Sequence, residues 1–171
     1  MFNCRICGGA LEKIIDFGKI ALVGNFEKKL KKSKKFKISL NFCRVCKHVQ
    51  ISEIIKPNLL FKNYLWETGV SKSNIFLIKD LIKKIKKYNI KKKSKILEIA
   101  CNDGSFLNLI RKKFKCSVVG VDPAQNLKKK LRKQRIPSII DYFNLKLSYQ
   151  IKKKYKLFDF IFARNVIAHV P

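Results

Sequence analysis

A chain of 171 residues can hold one ordinary domain, or a small module with part of a larger one. With 47% hydrophobic residues it has the means to bury a core, which excludes a disordered chain. Its 40 Lys+Arg against 11 Asp+Glu give a net charge of +29, yet all but six of the basic residues are lysine. Nucleic-acid readers lean on arginine for bidentate contacts. Abundant Lys, Ile, Asn and Phe together also suit A/T-rich codons. Nucleic acid is therefore expected only as non-specific attraction at low salt, and a basic nucleic-acid-binding protein is the alternative reading.

Six cysteines stand at 4, 7, 43, 46, 101 and 116. Cys4 falls where a secretory leader needs its charged and apolar stretches. No apolar run approaches the roughly 18 residues that span a bilayer. The expectation is a reduced, cytoplasmic chain with no membrane partner, in which paired cysteines bind metal. Cys4-Arg5-Ile6-Cys7 and Cys43-Arg44-Val45-Cys46 are two C-x-x-C knuckles. Each aims two thiolates at one point, and two knuckles complete the tetrahedral sulfur set that Zn2+ accepts. Four cysteines leave no open position, so the metal is structural. Arg5, Arg44 and Lys47 are expected to offset the thiolates, with His48 at the surface or behind the ligands. Between the knuckles, Glu27 to Lys37 is a lysine run, read as a solvated excursion. A docking site for an anionic sugar nucleotide or RNA is its sharper reading.

Residues Pro57 to Ser73 carry Phe61, Tyr64 and Trp66 among polar neighbours. Such aromatics either wall a substrate pocket, with Tyr64 supplying a hydroxyl, or pack between modules. Ile78, Leu81, Ile82 and Ile85 then recur at helical spacing with lysines opposite, predicting a helix that covers a sheet.

Ile96, Leu97 and Ile99 form a buried-strand run, broken at Asn102-Asp103-Gly104. Phe106, Leu107, Ile110 and Phe114 have helical spacing. Val118, Val119 and Val121 make the next strand, with Asp122 at its carboxyl end, where open α/β sheets bind ligands. The acid stands about where a nucleotide-binding βαβ unit places its ribose-binding carboxylate. A dinucleotide site wants several glycines around a pyrophosphate. Here the turn has only Gly104 and is acidic, which suits an adenosine ligand bearing an amine or sulfonium and favours S-adenosylmethionine over NAD or ATP. Pro123 suits the first turn of a helix continued by Leu127 and Leu131. Residues 138–140 read as a third strand, 144–154 as a helix and 157–163 as a fourth strand. Asn165 and His169 follow where a ligand is met. Four strands leave one side of a doubly wound sheet unfinished, so Pro171 reads as a truncation point. A second polypeptide that completes the fold is another reading.

These motifs, in this order, resemble the amino-terminal half of zinc-containing class I S-adenosylmethionine-dependent C-methyltransferases, the group with deoxysugar C-3 methyltransferases. The matching elements are the paired knuckles, the Gln50 that ends C-x-x-C-x-x-x-Q, Leu60-Phe61-x-x-Tyr64, Gly69-x-Ser71, Glu98 to Gly104, Gly120 to Ala124 and Asn165 to Val170. The resemblance implies an α/β fold: a zinc-ribbon-like module (1–56), an aromatic linker and amphipathic helix (57–94), and a truncated Rossmann-like class I methyltransferase domain (95–171). Glu98, Asn102, Asp103 and Gly104 would hold the methionine end of the cofactor, and Asp122 its ribose. Ala100, Pro123 and Asn165 join that set. Tyr64 and His169 would face a small-molecule substrate, a nucleotide-linked keto sugar. Trp66 departs from the group, which often has a second tyrosine there. The group's principal acid/base residues, among them a histidine that deprotonates the carbon beside a ketone, fall beyond residue 171.

Overall fold

The computed structural model describes residues 3–22 and 34–167. Two compact units divide between Leu60 and Phe61.

The first unit is an antiparallel sheet of β1 (Leu11–Ala21), β2 (Lys35–Cys43) and β3 (Val49–Ile51), in that order. β1 pairs with β2 so that Leu11 lies opposite Cys43, which sets one knuckle beside the other. Near Gly18 the β1 register slips; Gly18 has a φ of 69° and donates its N–H to Asp16 Oδ1 at 2.9 Å. Most of the lysine run lies in 23–33, outside the described residues. The short helix α1 (Pro57–Phe61) closes the stretch.

The second unit is a parallel sheet of β4 (Lys95–Ile99), β5 (Ser117–Val121), β6 (Ser138–Ile139) and β7 (Phe160–Ala163), in the order β6-β5-β4-β7. Parallel strands need crossovers, supplied here by α3 (Ser105–Phe114), α4 (Lys128–Lys133) and α5 (Leu145–Tyr155). The helix α2 (Lys72–Ile85) precedes the sheet and starts at Ser71, whose Oγ accepts the Asn74 N–H at 3.3 Å. On one face Ile78, Ile82 and Ile85 of α2 meet Phe106, Leu107 and Ile110 of α3 above Ile96 and Val118. On the other, Leu147 and Ile151 of α5 cover Leu97, Val119 and Val121. Each such fully buried side chain contributes about 1.5–3 kcal/mol, so both sheet faces hold the carboxyl edge rigid.

Two boundaries differ from the sequence reading. Pro123 does not open a helix, and α4 begins only at Lys128 after a short 3-10 turn at Gln125–Leu127. Ala124 stays extended, with a ψ of 104°, donating to Asp122 Oδ1 while Gln125 donates to the Lys62 carbonyl. β7 starts at Phe160 and not at Leu157, because Lys156 turns with a φ of 64° and Asp159 caps β4 by accepting the Lys95 N–H at 2.7 Å.

Candidate functional site

In the first unit the Sγ atoms of Cys4, Cys7, Cys43 and Cys46 all lie within 4.8 Å of one another. Both knuckles have the same construction. Gly8 and Lys47 donate to the carbonyls of Cys4 and Cys43 at 2.8 Å, and each has a left-handed φ, of 74° and 61°. Gly9 is fixed by space, since a Cβ there would approach Val45 Cγ2 to 3.0 Å and Cys7 Sγ to 3.3 Å. The backbone N–H of Cys7 holds the Cys4 thiol down to about 6. The N–H of His48 favours a Cys46 thiolate too, but burial and the neighbouring sulfurs outweigh it and push that thiol up to about 12. Four sulfurs this close cannot all ionise without a cation among them, and four thiolates around one point fit Zn2+.

Two of the three basic flanks have other partners. Arg44 pairs with Glu12 at 2.6 Å, and Arg5 donates a guanidinium N–H to the Ile51 carbonyl at 3.0 Å. Gln50, read from the sequence only as the end of a motif, is buried, and its Oε1 accepts the Arg5 backbone N–H at 3.0 Å and ties the first knuckle to β3.

In the second unit, three carboxylates gather at the carboxyl edge of β4 and β5. Glu98 and Asp103 are 0% exposed and Asp122 is 6% exposed. Asp122 accepts the Asn102 N–H at 2.7 Å and the Ala124 N–H at 2.9 Å. Burial raises its carboxyl, and those two amides pull it back. Asp103 accepts from Gly69 N–H at 2.8 Å and Ser105 N–H at 3.0 Å. The Asn102 side chain accepts from Thr68 N–H at 2.8 Å and donates to the Trp66 carbonyl at 3.0 Å. The side chains of Asn102 and Asp103 thus bind segment 66–69. Asn126 continues the seam by exchanging two hydrogen bonds of 2.9 Å with the Tyr64 backbone, and Lys130 pairs with Glu67. Tyr64 is half-buried, its ring 6.0 Å from that of Phe61.

The turn itself has an unexpected shape. Ala100, Asn102 and Gly104 have φ values of 55°, 52° and 77°, so every second residue is left-handed. Glycines ordinarily supply such a loop; here alanine and asparagine adopt it, which no glycine pattern in the sequence could disclose. At Gly104 a Cβ would meet Ile136 Cδ1 at 2.5 Å and Leu131 Cδ2 at 2.8 Å.

Glu98 has a partner that the sequence did not single out. Arg164, just past β7, donates Nε and Nη2 to the same oxygen, Oε1, at 2.9 and 2.7 Å. The other oxygen, Oε2, is buried without a hydrogen bond; Tyr142 Oη, past the end of β6, is the second such atom among the described residues. Two buried, unsatisfied polar atoms near this sheet edge are what a polar ligand would complete. Asn165 is exposed with a φ of 54° at the same edge, and Pro123 follows Asp122 there. His169 lies outside the described residues.

Burial pushes the Glu98 carboxyl up to about 8, against the pull of Arg164 and with Asp122 and Asp103 adding to the rise. A carboxyl raised on folding binds its proton more tightly in the folded state. Its contribution is therefore complete on the acid side and lost as pH climbs from the ordinary 4.5 through about 8. Urea midpoints of the ligand-free chain should fall across that window, by on the order of 5 kcal/mol in stability at its upper end. Glu98→Gln should flatten the profile; an unchanged slope would place the titration elsewhere.

A parallel sheet with an acidic carboxyl edge, preceded in sequence by a four-sulfur cluster that fits Zn2+, is the arrangement of a nucleotide-binding α/β domain behind a zinc-binding module. A family model for a methyltransferase domain matches residues 73–171, and one for a zinc binding domain matches residues 4–61. The chain belongs to the methyltransferase-domain family and carries that zinc binding domain ahead of it. The resemblance read from the motifs is borne out, and with it S-adenosylmethionine and Zn2+ as the groups these sites fit. The chain is 26% identical over 174 residues to the C-methyltransferase NovU of Streptomyces niveus, a match covering 99% of this chain and 41% of that protein. It thus spans about two-fifths of that relative's length. Among solved structures, YjhP of E. coli overlaps 36% of this chain and 27% of its own (14% identity, TM-score 0.32). A SAM-dependent methyltransferase from Archaeoglobus fulgidus overlaps 37% and 29% (21% identity, TM-score 0.29). Overlaps that slight add nothing to the fold described above. No helix among the described residues is long and apolar enough to cross a membrane.

Proposed function

We propose that this chain is the zinc-bearing, cofactor-binding part of a C-methyltransferase that acts on a small keto substrate, a nucleotide-linked sugar. The observation that carries the cofactor half is the burial of Glu98, Asp103 and Asp122 around one turn in a chain of net charge +29. So many carboxylates are withdrawn from a lysine-rich surface only at a cost, and a cationic ligand at their edge offsets it. S-adenosylmethionine, when bound, supplies a methyl group on a sulfonium. Asp122 would accept from ribose hydroxyls, Glu98 would take the amine, and the 100–104 turn with Pro123 and Asn165 would border the rest. Segment 64–69, whose backbone is held by Asn102, Asp103 and Asn126, would offer Tyr64 and Trp66 as substrate-facing side chains. Orientation of the acceptor by such a wall supplies much of the rate in group transfer. His169 is the sequence-based candidate for handling a proton. The sugar reading rests on the NovU relative and on the motifs.

Thermal melting and equilibrium titration with S-adenosylmethionine test the cofactor half. The wild-type chain should gain stability with ligand, and Asp122→Ala should lose affinity about tenfold to a hundredfold, as for charged hydrogen bonds. No shift in the wild-type chain would sink the reading. A keto-sugar nucleotide offered as methyl acceptor tests the substrate half.

A further inference from the structure

We infer that Arg164 and Glu98 act as a paired reader for the two charges of an α-amino acid, so that the cofactor's carboxylate is recognised by Arg164. The inference rests on the cofactor reading above and adds a residue to it. Were Arg164 there only to neutralise Glu98, the preferred fork-to-fork arrangement would give one N–H to each carboxylate oxygen. Instead both N–H groups converge on Oε1, at 2.9 and 2.7 Å, and Oε2 stays buried without a partner. The rest of the guanidinium has no hydrogen-bond partner among the described residues, and the side chain is 26% exposed where Glu98 is 1% exposed. Phe106, fully buried, holds the plane of the guanidinium, its ring centroid 4.5 Å from Arg164 Cζ.

An α-amine and an α-carboxylate share one carbon, so their readers must stand side by side. Glu98 and Arg164 do so, one with an acceptor to spare and the other with donors to spare. Asp103 and Asp122 suit an amine less well than Glu98, because each of their oxygens already accepts one backbone N–H whereas Glu98 Oε2 accepts none. No cation other than Arg164 touches Glu98 among the described residues.

The test is titration calorimetry with S-adenosylmethionine and its decarboxylated form, which differ only in the carboxylate. The wild-type chain should prefer the former by about tenfold or more, the scale of a charged hydrogen bond. Arg164→Met should bring the ratio near one, and Arg164→Lys should restore part of it. Glu98→Gln should weaken both ligands together and keep the ratio, since the amine is common to them. Should Arg164→Met strand the buried Glu98 and fail to fold by circular dichroism, the Arg164→Met/Glu98→Gln double variant reads the same ratio without that charge. Equal binding of both ligands by the wild type, or an unchanged ratio in the Arg164 variants, overturns the inference. Absence of any S-adenosylmethionine binding by the wild-type chain instead overturns the cofactor reading on which it rests.

Discussion

Cys43→Ser is expected to abolish stoichiometric zinc binding and to melt the sheet of the first unit. Cys43 is buried and ends β2, the central strand, while its Sγ lies 3.5 Å from that of Cys7. A serine hydroxyl does not ionise near neutral pH, so the site would keep three sulfurs and lose its tetrahedral closure. Structural zinc sites contribute about 10–16 kcal/mol of apparent binding energy, which in a small module is folding energy. The apolar surface here offers little to replace it: β1 is largely exposed, including Ile14, Ile15 and Phe17. Zinc content per chain and far-UV circular dichroism, before and after a strong chelator, check the outcome. Full metal content in Cys43→Ser would refute the four-sulfur site. The second unit has its own core and should keep its thermal transition in the same sample.

Gly104→Ala should cost about 2–5 kcal/mol, the sum of a left-handed backbone penalty and an overpacking penalty. Gly104 has a φ of 77°, and the added methyl would press on Ile136 at 2.5 Å and Leu131 at 2.8 Å, both buried. Gly18 provides the comparison. Its φ is 69°, yet a Cβ there meets nothing within 4 Å. Gly18→Ala should therefore cost only the backbone part, about 1–2 kcal/mol. Denaturant titration of the two variants separates strain from packing; equal losses would show that the Ile136 and Leu131 contacts yield freely. Because Gly104 caps α3 and follows Asp103, the same substitution should also weaken S-adenosylmethionine binding.

The elements written in local chemistry were legible in the sequence. Two cysteines three apart make a knuckle wherever they fall, and Ile96 to Ile99, Phe106 to Ile110 and Val118 to Val121 have the periods of strand, helix and strand. Asp122 could be placed because it ends a strand of that run. What stayed hidden depends on contacts between distant residues or on backbone angles that the residue type does not announce. Arg164 reaches Glu98 across 66 positions of sequence. Ala100 takes a left-handed φ that alanine rarely adopts, so the turn looked poorer in glycine-like geometry than it is. The helix after Asp122 begins late because Ala124 stays extended, its N–H on the Asp122 carboxylate, while Gln125 donates to Lys62 of a segment read as linker. Nothing in the residue types of Asn102 and Asp103 announced that their side chains also hold segment 66–69.

That seam also bears on how the protein can change over generations. Asn102 and Asp103 hold positions 66, 68 and 69 mainly by main-chain atoms: the Trp66 carbonyl, the Thr68 N–H and the Gly69 N–H. Grip by main-chain atoms is indifferent to side-chain identity. The indole of Trp66, 48% exposed, is thus open to substitution without loosening the turn beneath it. Gly69 has no such liberty, since a Cβ there would fall 2.5 Å from Ser105 Oγ and 2.7 Å from Asp103 Oδ2. Within four residues one side chain is free to change while its neighbour is frozen, so the exposed surface here can diversify while the turn beneath it is inherited intact.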